Sequence, residues 1–301
     1  MKELKHYLAA ITAFTTWGFF SLVLKPIHAY PSVDILFYRV FLCSILMIGI
    51  SLLFKRQQLK ETVATFKNLP SGGRKKAIWL NIGGGLLLTA NWFSFIYVMN
   101  HISVKATSLA YLVCPILTTV LAHFILHEKL NKQKWIAVLL SVTGCVMLSY
   151  SSLMDMVFSL IVGLSYALYL ISQRENTGFD KFIVLTFQIA FSALILLPFY
   201  PFYSATLPVE LHFYVFIGII AVAFTIIPLL LNLFALKRIN SSTVGMLMSI
   251  NPIIAFLLAG LVFHEHMNTL QMIAYGIVFT AVLVFNLKPR SSKKEEISVS
   301  S

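Results

Sequence analysis

Ten runs of mostly apolar residues follow one another along the chain, separated by short polar segments. Each run is about 20 residues long, which is the length that an α-helix needs to cross a bilayer. The pattern predicts an all-α polytopic membrane protein with ten transmembrane helices. The predicted spans are 7–24, 33–54, 77–99, 105–126, 133–150, 154–172, 182–203, 212–236, 241–263 and 268–287. We expect a polar, basic loop at 55–76 and a disordered tail at 289–301.

The composition agrees with this pattern. Of the 301 residues, 58% are hydrophobic and 11% are charged, whereas about 25% of the residues in a soluble domain are charged. So few charges exclude a soluble enzyme, a nucleic-acid-binding domain and a disordered chain. The net charge of +12 therefore needs another explanation than binding to nucleic acid.

The basic residues predict the orientation of the chain in the membrane. If the N-terminus is cytoplasmic, 20 of the 23 Lys and Arg residues fall on the inner side, and only Lys25, Arg39 and Lys105 do not. Positively charged loops stay in the cytoplasm during membrane insertion. The charge distribution thus predicts that both termini are cytoplasmic.

The chain also repeats itself at a constant offset of 137 residues. The segments 106–143 and 243–280 align so that Pro115 matches Pro252 and His127-Glu128 matches His264-Glu265. Five predicted spans separate equivalent positions, so the two copies must face opposite ways. We expect two inverted five-helix halves, at 1–150 and 151–288. Inverted repeats are typical of secondary transporters, which bind substrate near the midplane, between the halves.

Several short motifs resemble the drug/metabolite transporter superfamily and, within it, the EamA-type permeases called RarD. The matching stretches are Trp17-Gly18, Asp34–Leu36 with Tyr38-Arg39, Ala90–Trp92, Phe95–Val98 with Asn100, Ala106–Tyr111, Leu164–Leu168, Ile227–Leu230 and Ser242–Leu247. The resemblance implies a multi-pass protein of the bacterial inner membrane that moves small metabolites, often outward.

Arg39 is the clearest charge inside a predicted span. A guanidinium in lipid costs at least about 2.5–3.5 kcal/mol, so we expect it to face protein or water. One interpretation is a fork that holds a carboxylate or phosphate of the substrate. The alternatives are an arginine that extends to the outer headgroups or one that pairs with Asp34.

Other polar and aromatic residues within the spans are candidates for lining a substrate cavity, and three prolines for kinking or gating the helices. For the polar and aromatic residues the alternative is a packing role between helices. The cavity candidates are Trp17, Asn91, Trp92, Tyr111, Tyr166, Asn232 and Asn251, and the kink candidates are Pro115, Pro228 and Pro252.

The sequence contains no motif for catalysis, for a cofactor or for a metal. The segment His264-Glu265-His266 lacks the spacing of a zinc site, and its match to His127-Glu128 favours a structural helix end-cap in both halves. We therefore expect neither an enzyme nor a cofactor. The expected partners are a small-molecule substrate and membrane lipid but no nucleic acid, and a homo-oligomer is left open.

These observations together predict a secondary-type permease or exporter. It would move a small organic metabolite, such as an amino acid or a related compound, by alternating access. The alternative is an exporter of apolar drugs or lipid-like compounds. That alternative has no need of Arg39.

Overall fold

The computed structural model describes residues 3–101, 104–149, 153–204, 207–262 and 269–287, and that part of the chain contains helices and no strands. The expected tail at 289–301 and the segment His264–His266 lie outside the described residues. An all-helical chain is what a bilayer requires, because a helix satisfies its own backbone hydrogen bonds where water is absent.

Seven of the described helices lie in the first half of the chain, and an eighth begins the second half. Their bounds are α1 (Leu4–Gly18), α2 (Phe20–Leu24), α3 (Ser32–Leu53), α4 (Arg56–Asn68), α5 (Ser71–His101), α6 (Val104–Ile125), α7 (Lys132–Ser149) and, at the start of the second half, α8 (Leu153–Glu175). A single 3-10 turn, Lys25–Ile27, follows α2.

The remaining helices are shorter and more often interrupted. They are α9 (Lys181–Leu196), α10 (Tyr200–Tyr203), α11 (Leu211–Ala221), α12 (Ile227–Ala235), α13 (Ser241–Leu247), α14 (Ile250–Leu261) and α15 (Thr269–Asn286). A π-helical turn, Val222–Ile226, joins α11 to α12.

Six helical stretches of the described chain are long and apolar enough to cross a membrane. They are Ser32–Leu53, Met156–Glu175, Lys181–Tyr203, Leu211–Ala235, Ser241–Leu258 and Thr269–Asn286. The first two helices, bent by 41° at their junction, would make a seventh span if they cross as one unit. A shorter apolar helix covers Leu109–Ile125. The fold is therefore that of a polytopic membrane protein.

The prediction of a loop at 55–76 is wrong. Helix α4 covers Arg56–Asn68, and α5 already begins at Ser71. The charges of this segment suggested a loop, but Leu59, Val63 and Phe66 recur at the spacing of one helix face. Such a stripe lets a polar segment form an amphipathic helix.

The two halves of the chain are interleaved in the bundle. Helix α6 packs along α8, and α7 packs along α15, while α1 contacts both α12 and α14. The close fit of α8 on α6 depends on Gly163, because a Cβ atom there would lie 3.2 Å from the carbonyl oxygen of Ala110. Small residues allow helices in membranes to approach in this way.

Helices α6 and α13 cross even more closely. A Cβ atom added at Gly245 would lie 2.7 Å from both Cβ and Cγ2 of Thr118. Thr119 also donates a hydrogen bond across this crossing, to the carbonyl of Ser242 at 3.3 Å. The crossing thus joins a helix of the first half to a helix of the second.

A carboxylate from the first half caps α13. Glu128 accepts the backbone N–H groups of Ser241 and Ser242 at 2.7 and 3.0 Å, and the Ser242 hydroxyl at 2.6 Å. His127, with a φ of 54°, turns the chain just before it. Glu128 thus caps a helix of the other half and not the end of α6, the helix that it follows, and the counterpart at 264–266 lies outside the described residues.

We expect Glu128→Gln to lower the free energy of unfolding by about 1–3 kcal/mol, because one amide oxygen cannot replace two carboxylate oxygens that accept three hydrogen bonds. Thermal unfolding in detergent measures this. The matched control is Glu175→Gln, which removes only an exposed ion pair with Lys76 and should cost about 0–1 kcal/mol. Equal shifts for the two variants would contradict the capping role.

We expect Gly245→Ala to destabilise the protein by about 1–3 kcal/mol, since Thr118 has no flexible end that can move aside. Gly49→Ala is the control, because a Cβ at Gly49 meets nothing within 4 Å. Alanine favours a helix more than glycine, so this control should be neutral or slightly stabilising. A thermal shift of Gly245→Ala no larger than that of the control would argue against a tight crossing.

Candidate functional site

A carbonyl freed by a proline marks the centre of the bundle. Pro228, in the first turn of α12, has no N–H to offer the carbonyl oxygen of Phe224, four residues earlier. The indole N–H of Trp17 donates to that oxygen instead, at 2.8 Å. Helix α1 is thereby joined to the π-helical turn of the other half.

Tyr166 meets Trp17 at this point and joins it to Asn232. The ring of Tyr166, on α8, lies edge-on to the indole with centroids 6.2 Å apart. The hydroxyl of Tyr166 accepts a hydrogen bond from Nδ2 of Asn232 at 3.0 Å. Oδ1 of Asn232 is buried and has no hydrogen-bond partner among the described residues.

Arg39, on α3, contacts another aromatic residue of the same cluster. Its guanidinium stands over the ring of Trp92, 5.1 Å from the centroid, which is a cation–π arrangement. Trp92 and Tyr111 both pack against the buried apolar cluster that contains Tyr166.

The structure therefore brings six of the eight predicted cavity residues together, from six different helices. We call this set the central cluster, and it consists of Trp17, Arg39, Trp92, Tyr111, Tyr166 and Asn232. Tyr166 and Asn232 are buried, whereas the other four are only half-buried. Part of the cluster thus remains accessible.

The guanidinium of Arg39 has no ion-pair partner among the described residues. Its Nε atom is buried and makes no hydrogen bond. Asp34, the carboxylate considered for it, accepts instead from the hydroxyl of Ser204 at 2.7 Å. Within the described chain, Arg39 is thus a half-buried cation that lies over the Trp92 ring and has no ion-pair partner.

Asn91 and Asn251 lie outside the central cluster. Asn91 donates to the carbonyl of Val162 at 3.0 Å and to the hydroxyl of Ser165 at 3.2 Å, tying α5 to α8. This contact matches the packing alternative for Asn91. Asn251 is 8% exposed and lies in the first turn of α14.

The three prolines affect their helices differently. Pro115 lies inside α6, which continues on both sides of it. Pro228 follows the π-helical turn, and Pro252 follows the break between α13 and α14 at 248–249. Only the prolines of the second half thus coincide with an interruption.

The sequence did not reveal the side chains that support the π-helical turn. The hydroxyl of Thr225 donates to the carbonyl of Ile220 at 2.9 Å, and the thiol of Cys43 donates to the carbonyl of Ala221 at 3.4 Å. Pro228 was the only available signal, since a proline inside a span predicts that nearby carbonyls need side-chain donors.

Among the described residues, no group of three or more His, Cys, Asp or Glu side chains has the arrangement of a metal site. The central cluster offers one cation, aromatic faces, hydroxyl groups and an amide.

Comparison with known proteins gives a consistent result. The model of the EamA-like transporter family matches the chain twice, over residues 4–150 and 153–287. The "Uncharacterized transporter YojE" of Bacillus subtilis (strain 168) is 28% identical over 283 residues, which cover 93% of each chain. "Protein RarD" of Escherichia coli (strain K12) is 24% identical, with 92% of each chain covered.

A solved structure titled "Crystal structure of protein" shares the fold. It superposes with a TM-score of 0.71 over 94% of this chain and 98% of its own. The sequence identity is 15%, so this likeness concerns the fold alone.

We expect Trp17→Phe to lower the free energy of unfolding by about 1–3 kcal/mol, because it leaves the Phe224 carbonyl without a donor. Trp79→Phe is the matched control, since Trp79 is 74% exposed and its loss should change stability by less than about 0.5 kcal/mol. Thermal unfolding of both variants in detergent measures the difference. Indistinguishable shifts would mean that the indole hydrogen bond does not support the broken helix.

Proposed function

The chain belongs to the EamA-like transporter family, and from this premise we propose that it moves a small anionic or zwitterionic metabolite, such as an amino acid, across the membrane. The family and the apolar helices establish a multi-pass membrane transporter. The guanidinium of Arg39, half-buried and without an ion-pair partner among the described residues, is the observation that carries the choice of substrate class.

Electrostatics gives the reason. Burying a charge without a counter-charge costs free energy, and this cost is offset where a partner supplies the counter-charge. A carboxylate or phosphate matches the planar fork of a guanidinium with two parallel hydrogen bonds. We infer that the substrate supplies the anion that the protein does not.

The rest of the central cluster fits the same class of substrate. The aromatic faces of Trp17, Trp92 and Tyr111 suit the apolar part of a small molecule. The Oδ1 acceptor of Asn232, without a partner among the described residues, suits a donor such as an ammonium group. A zwitterion carries both groups on one small body, whereas an apolar drug uses neither.

We further propose ten spans in two inverted halves, with both termini in the cytoplasm of a bacterial cell. Two copies of the family model, one in each half, support the repeat. The 137-residue offset across five predicted spans supports its inversion, and the basic inner segments support the orientation. Alternating access follows when one half rocks against the other around a central site.

The breaks in the second half support a moving element. Helices α13 and α14 are separate, and a π-helical turn precedes α12. Interrupted helices of this kind line the sites of many transporters. We also propose that the protein moves its substrate without catalysing a reaction.

The experiment is a thermal-shift titration of the purified protein in detergent with amino acids, their amides and apolar drugs. A ligand at 100 times its Kd stabilises the protein by about 2.7 kcal/mol. We expect the acids to bind and the amides to bind about tenfold or more weakly, because a hydrogen bond to a charged group contributes about 1.5–3 kcal/mol.

Two arginine variants sharpen this test. Arg39→Met should abolish the preference for acids without unfolding the protein, since it removes a charge that has no partner. Arg238→Met, at an exposed position, is the control and should bind normally. Stabilisation by apolar drugs alone, unchanged in Arg39→Met, would instead favour the exporter of apolar compounds.

A further inference from the structure

A second cavity lies away from the central cluster, between α3, α4, α5 and α9. It is an open groove of about 510 Å³, which is within the range of small-molecule sites. Its wall is apolar, and it includes Leu52, Leu59, Phe66, Ile78, Ile183 and Phe187.

Three of the four polar side chains that line this groove, those of Ser51, Asn81 and Thr186, are hydrogen-bonded within the protein. The hydroxyls of Ser51 and Thr186 lie 3.1 Å apart and share a hydrogen bond. The amide of Asn81 donates to the carbonyl of Ala77 at 2.8 Å and accepts from Asn176 at 3.1 Å. A polar ligand would find those groups engaged, whereas a hydrocarbon chain needs none of them.

Helix α4 places positive charge at the edge of the groove. Its apolar stripe, Leu59, Val63 and Phe66, contributes to the wall. Arg56 and Lys60 are one turn apart, and Lys67 is two further turns along, so the three share a stripe next to the apolar one. None of them forms an ion pair with a described carboxylate.

The surrounding segment has the same sign. Residues 55–76 contain seven Lys and Arg residues but a single acidic residue, Glu61, which accepts a hydrogen bond from Gln57 at 2.9 Å. An amphipathic helix with a basic edge lies at the membrane surface and attracts anionic lipids. Phe54, which directly follows α3 next to this segment, is 80% exposed, as expected for a side chain that faces lipid.

We propose that this groove is a binding site for one anionic phospholipid of the inner leaflet. An acyl chain fills the groove, and the headgroup phosphate lies against Arg56 and Lys60, while Lys67 adds positive charge further along the same stripe. The lipid then joins α4 to α3, α5 and α9. This site is independent of the transported substrate and rests on the proposed orientation, which places α4 on the inner side of the membrane.

Native mass spectrometry of the purified protein in detergent tests the site. The protein is titrated with phosphatidylglycerol or with phosphatidylcholine that has the same acyl chains. We expect one phosphatidylglycerol to bind about tenfold or more tightly than phosphatidylcholine, because each basic residue near an anionic headgroup strengthens binding roughly fivefold.

Two matched triple variants test whether the basic residues of α4 cause this preference. Arg56→Gln with Lys60→Gln and Lys67→Gln should remove the preference for phosphatidylglycerol. The control replaces Lys129, Lys132 and Lys134, in and after the connection between α6 and α7, with Gln and should keep it. Equal losses in both would show a general effect of surface charge and would overturn the proposal.

Two matched variants on α4 test the groove itself. Val63→Trp fills the groove and should weaken both lipids at least about fivefold, while Ala64→Trp, exposed and one residue along, should not. Helix α4 contains no buried residue, so both variants should keep the wild-type Tm without lipid. Unchanged binding in Val63→Trp, or a change in oligomer mass in place of lipid binding, would refute a lipid in the groove.

Discussion

Inside a bilayer, every backbone carbonyl has to find its donor within the protein, because the hydrocarbon offers none. Pro228 has no N–H to donate to the carbonyl of Phe224, and the indole N–H of Trp17, on α1, donates to it instead. The thiol of Cys43 and the hydroxyl of Thr225 donate to two carbonyls at the end of α11, directly before the turn. The interruption of the helix is thus supported by side chains of α1 and α3 packed against it. The position of the central cluster follows from this dependence.

In the central cluster, the carbonyl of Phe224 has a side-chain donor, whereas the charge of Arg39 has no ion-pair partner among the described residues. Arg39 is held against Trp92, and no described carboxylate neutralises it. A purely structural arginine is normally paired, since removing a guanidinium from water is expensive. Aromatic contact offsets only part of that cost. The unpaired charge distinguishes this region from the groove between α3, α4, α5 and α9, where most polar side chains of the wall are hydrogen-bonded within the protein.

Much of the helical fold could be predicted from the sequence, because runs of about 20 apolar residues have few alternatives in a bilayer. Helix α4 was missed because its charges outweighed the spacing of Leu59, Val63 and Phe66. For the site, Arg39 and Asn232 could be found because polar groups in apolar runs are rare. Asn91 illustrates the limit: a sequence does not say whether a buried amide faces a ligand or the carbonyl of Val162. Contacts such as that of Trp17 with Phe224 depend on how distant segments pack.

The cap on α13 has a consequence for how the protein is made. This helix has seven residues, fewer than an isolated helix needs to be stable, and its N-terminus is held by Glu128 from more than a hundred positions earlier. Synthesis proceeds from the N-terminus, so the carboxylate has left the ribosome before Ser241 emerges. The first half of the chain can thus serve as a template on which the second half completes its folding.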